Sequence, residues 1–101
     1  MKTKEKNSLY VQAFHLWGIK LQLLMVMEEC SELQHACSKK IRNIDAPISK
    51  ISEEIADVEI MCEQIKCIWS LKYDVSKIKR VKLDRLKTLI EKESITAEEK
   101  R

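Results

Sequence analysis

Glycine and proline occur once each in 101 residues, as Gly18 and Pro47, against average usage of roughly 7% and 5%. A β-rich domain spends those residues on its turns, so their scarcity excludes most sheet architectures and favours long helices with few loops. Aromatic residues are equally sparse, at 5%. The four cysteines, Cys30, Cys37, Cys62 and Cys67, contain no CxxC pair, so zinc-ribbon spacing is absent. No apolar run is long enough for a bilayer: Leu21 to Met27 is the best stretch, and a span needs about 20 residues. No segment reads as a signal-peptide core. A soluble, cytoplasmic protein with no membrane partner is the expectation.

What is present is 35% charged and 45% apolar, the mixture amphipathic helices use. One all-α domain is expected over residues 1–93, with a loose charged tail at 94–101. The net charge of +3 is unevenly spread: lysines crowd residues 2–6 and 72–87, carboxylates 28–32 and 53–63. The acidic middle would repel nucleic acid, and no DNA-binding motif is recognisable; a nucleic-acid partner is not expected.

Periodicity locates the helices. A short helix is expected over Ser8–Leu16, ended by Gly18. Ile19, Leu23, Val26, Cys30, Leu33 and Cys37 then alternate steps of four and three, the mark of a helix with a packed seam. Asn43, Asp45 and Pro47 signal a loop. Ile48, Ile51, Ile55, Val58, Cys62, Ile65 and Trp69 repeat the alternation over seven positions. A third helix is expected from an Asp74 N-cap to about Glu91. Cys30, Cys37 and Cys62 fall on the stripes and are read as buried free thiols. Leu21, Leu24, Met25 and Met27 lie outside the seam. A helix apolar most of the way round needs more cover than a short chain supplies, which predicts a homodimer or homotetramer through residues 19–27.

The acids hold a fixed phase against those stripes. Glu29 and Glu32 each precede a seam residue on the first long helix, and Glu54 and Asp57 do so on the second. Members of each pair are three apart and share a face. An antiparallel packing across the loop would bring four carboxylates together at the seam's edge. Such convergence repels, by about 4 kcal/mol for two unit charges 4 Å apart at an effective dielectric near 20. A hard cation removes the penalty, and Mg²⁺ prefers carboxylate oxygen. Two readings stand at this point: a metal site, and ordinary helix-surface glutamates.

The stretch Glu28-Glu29-Cys30-Ser31-Glu32, followed by Glu53-Glu54-Ile55-Ala56-Asp57, resembles the EExxE…ExxD signature of the MazG-like all-α nucleoside triphosphate pyrophosphohydrolases. The resemblance runs from about Trp17 to Leu89. Phosphoribosyl-ATP pyrophosphatases have a similar acid pattern, but their second motif usually continues with aromatic and histidine residues where this chain has Glu59-Ile60-Met61. The resemblance implies an antiparallel helical hairpin completed by oligomerisation, and Mg²⁺ held by Glu29, Glu32, Glu54 and Asp57, with Mn²⁺ able to substitute. It further implies hydrolysis of a nucleoside triphosphate to monophosphate and pyrophosphate, a nucleotide-pool house-cleaning reaction. Glu28 or Glu32 would take the proton from water. Lys82 and Arg85 resemble a KxxR that faces the triphosphate, and Lys39 is an alternative. Trp17 is a candidate for base stacking, with a core or interface role as its competitor. The rival function is a non-catalytic helical oligomerisation or interaction module, whose acids are only solubilising.

Overall fold

The computed structural model describes residues 1–100. It is all-helical: α1 spans Thr3–Arg42, α2 Ser49–Ile68 and α3 Lys72–Glu99, with no strand among the described residues. The chain divides into two compact units, Met1–Ser70 with α1 and α2, and a second beginning at Leu71 with α3.

α1 is two helical limbs joined at Gly18, where φ is +77° and ψ is 164°. That region of backbone space is essentially reserved for glycine. The punctuation read from the sequence is therefore real, but the chain resumes its helix at once instead of forming a loop. Helix also begins earlier than expected, at Thr3, and α3 continues through the segment expected to be loose, to Glu99. Asp74 is not the cap of α3. Leu71 is, and Asp74 sits in the first turn, where a carboxylate meets the positive end of the helix dipole.

The loop at residues 43–48 falls where Asn43, Asp45 and Pro47 place it. Asn43 Oδ1 accepts a bond from the Asp45 N–H at 3.1 Å, and the Ala46 N–H reaches the Asn43 carbonyl at 3.0 Å. Lys40 Nζ donates to the carbonyls of Ile44 and Ala46, the latter at 2.7 Å. This pins the loop to the last turn of α1. At the far end of α2, Ser70 takes φ +54°, the left-handed cap position that usually goes to glycine.

α1 turns back on α2 across this loop. Among the described residues, Tyr10, Ala36 and Met61 are the buried apolar ones, and they are joined by Gln22 and Glu54. The face that α1 and α2 share is rotated from the one periodicity suggests. Of the expected stripes, Ile19, Val26, Leu33, Ile51, Val58 and Ile65 are half-buried. The alternate members, Leu23, Cys30 and Cys37 on α1, Ile55 and Cys62 on α2, and Ile48 and Trp69 at the two caps of α2, are exposed. Each apolar band is thus wider than one contact, and one edge is left uncovered. The cysteines correct the expectation of buried thiols: all four are free, but Cys30, Cys37 and Cys62 are exposed, because they lie on the uncovered edge.

One further property of α1 bears on membranes. Between Lys6 and Glu28 its only formal charge is Lys20, and an 18-residue window reaches a mean hydropathy of 1.2. By length and composition alone it is long and apolar enough to cross a bilayer. The same helix breaks at Gly18 and buries Gln22.

Candidate metal centre

The rotation that exposes one edge of each apolar band carries the acids inward. Glu29 and Glu32 on α1 and Glu54 and Asp57 on α2 each offer a carboxylate oxygen, and those four oxygens lie within 4.8 Å of one another. These are the four residues picked out by their phase in the sequence. Of the four only Glu54 is drawn fully into the helix–helix contact, at 2% exposed; Glu29 and Asp57 are half-buried, and Glu32 remains open to solvent.

Charge is poorly compensated in this cluster. Lys50, one turn before Glu54, donates to Glu54 Oε1 at 2.8 Å and approaches Glu53 Oε2 at 3.7 Å. The other oxygen of Glu54 and Oε2 of Glu29 are buried with no hydrogen-bond partner. A buried acceptor left unpaired costs about 1–3 kcal/mol, and more when charged. Loss of solvent pushes the Glu29 carboxyl above its ordinary value, and the neighbouring charges of Glu32, Asp57 and Glu54 push the same way. Lys50 moves upward too, chiefly through its bond to Glu54 and then through the charge of Glu53. Four carboxylates on two helices, two of which each keep a buried oxygen without a partner, form a donor set that suits a hard dication.

The other expected site residues are placed as follows. Glu28 is exposed and outside the four-carboxylate cluster. Trp17, 55% exposed, immediately precedes the Gly18 break. Lys39 is exposed in the last turn of α1, while its neighbour Lys40 is committed to the loop carbonyls. Lys82 and Arg85 are exposed on α3, in the second unit. The two histidines also lie outside the cluster: His15 is exposed with its ring 5.5 Å from that of Phe14, and His35 is a surface residue.

Three polar residues beside the four acids follow spacings that the apolar stripes do not reveal. Lys50 carried a signal, its i,i+4 spacing to Glu54. Gln22 and Gln64 carried another, since they lie seven residues before Glu29 and seven after Asp57, two turns along the same faces. Gln22 is 2% exposed; its Oε1 and that of Gln64 are buried without partners, so the polar band continues beyond the acids. Farther along, Tyr10 donates to Glu63 Oε2 at 2.7 Å, tying the first limb of α1 to α2. That bond, with burial second, pushes the Tyr10 phenol up to about 12.

No family model matches this chain, and no curated protein or solved structure matches it either.

Proposed function

We propose that this chain is a Mg²⁺-dependent nucleoside triphosphate pyrophosphohydrolase. The observation that carries the reading is the convergence of Glu29, Glu32, Glu54 and Asp57 within 4.8 Å, with buried oxygens of Glu29 and Glu54 left unpartnered. The resemblance of their motif to EExxE…ExxD supplies the reaction class. A bound Mg²⁺ would contribute Lewis acidity toward phosphate oxygens and water. The protein's part is to hold four carboxylates in fixed positions on two helices, and to leave one of them able to accept a proton. Glu32 fits that second task, being in the cluster yet open to solvent. Glu28 is a neighbour without that placement. No residue need act as a covalent nucleophile, so the cysteines are not assigned a catalytic role. Lys39, Lys82, Arg85 and Trp17 are assigned to the nucleotide by resemblance.

The same reading makes the active species a homodimer or homotetramer of helical hairpins. It is supported by the uncovered apolar edges, which include Leu16, Leu23, Leu24 and Met27 on α1, Ile55 on α2, and Ile48 and Trp69 at its caps. Monomeric soluble proteins rarely leave large contiguous apolar patches open. Those edges equally favour a second reading, a helical interaction module whose partner is another protein's helix.

Pyrophosphate release from a panel of nucleoside and deoxynucleoside triphosphates, with Mg²⁺ and with EDTA, separates the two. The enzyme reading expects release with Mg²⁺ only, abolished in Asp57→Asn with the helical content intact. A chain that binds no Mg²⁺ and releases nothing from any nucleotide is the module.

A further inference from the structure

Among the described residues, Lys50 is the one basic side chain in an ion pair with a member of the acid cluster. The pair is unlike an ordinary helix-surface pair, in which both partners are exposed. Here the lysine side chain is 60% exposed and the Glu54 side chain 3%. Glu54 is held through Oε1 by Lys50, while its Oε2 is buried without a partner. The ammonium has three donors and no acceptor capacity. One is spent on Glu54, a second leans toward Glu53 at the longer distance, and the exposed position leaves room for an anion.

We propose that Lys50 is an anion-binding residue at the exposed edge of the acid cluster, contacting a phosphate group that approaches a cation held there. This rests on reading the cluster as a cation site. Four carboxylates against one dication leave an excess of negative charge, which repels a phosphate chain. A compact ammonium on a flexible stem offsets that repulsion as a point charge. Lys40 is instead directed to the loop, where it donates to the Ile44 and Ala46 carbonyls.

The test uses the whole chain and two probes, Mn²⁺ alone and inorganic pyrophosphate in the presence of Mn²⁺, by isothermal titration. Wild type, Lys50→Met and Lys50→Arg are compared. Lys50→Met is expected to weaken pyrophosphate binding about 10- to 100-fold, the range of a lost hydrogen bond to a charged group. Its Mn²⁺ affinity should be equal to or tighter than wild type, because a positive charge beside the site is gone. Lys50→Arg should recover part of the anion affinity. Unchanged pyrophosphate affinity in Lys50→Met, with Mn²⁺ binding intact, removes Lys50 from the anion site and leaves the cation reading standing. Weaker Mn²⁺ binding in Lys50→Met, with anion affinity lost only in step, reduces Lys50 to a residue that orients Glu54, and overturns the proposal. A wild type that binds no Mn²⁺ brings down the cation site and Lys50 together.

Discussion

Glu54→Gln keeps the shape of a buried side chain and deletes one charge, and its effect should change sign with Mg²⁺. Glu54 lies within 4.8 Å of three other carboxylates. At that separation each repulsion is about 3.5 kcal/mol at an effective dielectric of 20, and about 0.9 kcal/mol in water. Glu32 is exposed and Glu29 and Asp57 are half-buried, so all three shares belong near the lower figure. Against the relief stands the loss of the Lys50 pair, worth about 1 kcal/mol at most because the lysine is more than half exposed. The balance favours the variant without metal by roughly 1–3 kcal/mol. At about 4–8 °C per kcal/mol for a domain of this size, its melting temperature in EDTA should rise by at least about 4 °C. With Mg²⁺ the order should reverse. A ligand that binds only the folded state adds about 2.7 kcal/mol at a hundred times its dissociation constant, and the variant, lacking one ligand, forfeits most of that gain. Thermal unfolding of both proteins at one fixed protein concentration, in EDTA and across a Mg²⁺ series, measures each arm. A variant less stable than wild type in EDTA, combined with no Mg²⁺ response in wild type, would refute the reasoning: the four acids would then be neither mutually strained nor a cation site.

Three further outcomes are expected. The Glu29 carboxyl is raised in the folded state, so the folded protein holds its proton more tightly than the unfolded chain; that contribution to stability is present below the ordinary carboxylate range and lost as pH rises through the raised value. Metal-free protein should therefore melt higher at mildly acidic pH than at neutral pH, with Mg²⁺ closing the gap, as calorimetry across pH would record. Tyr10→Phe removes a bond to a carboxylate and should cost about 1.5–3 kcal/mol in urea unfolding. The bonded phenol is raised from 10.0 to about 12, so in wild type this contribution is whole below pH 10 and lost as pH climbs through about 12; Tyr10→Phe should flatten that alkaline limb. Gly18→Ala should destabilise by about 1–3 kcal/mol through backbone strain alone, since nothing lies within 4 Å of the added Cβ; an unchanged urea midpoint would show that the break is not required.

The all-helical class was legible because missing glycine and proline leave few alternatives. The acid set was legible because its phase repeats on two helices. The rotation of the contact face was not. Apolar periodicity finds a band but does not say which edge meets the neighbouring helix. The usual rule that charges stay outside argued against burying Glu54, which is 2% exposed. That reversal also explains the cysteines, since the edge that turned outward took Cys30, Cys37 and Cys62 with it. Helix ends at Thr3 and Glu99 were missed because both lie in polar segments, where no stripe marks the boundary.

Gly18 has a consequence for how the first helix tolerates change. In an unbroken helix, deleting one residue turns everything on one side of the cut by about 100° relative to the other. At Gly18 the backbone leaves helical geometry, and the rotation can be absorbed there. A deletion between Thr3 and Trp17 would move Tyr10 or its neighbours while leaving Glu29 and Glu32 aimed at α2. The same deletion between Ile19 and Met27 would swing both carboxylates out of the cluster. The glycine thus separates a limb whose length bears on the Tyr10–Glu63 tie from a limb whose residue count is fixed by the four acids.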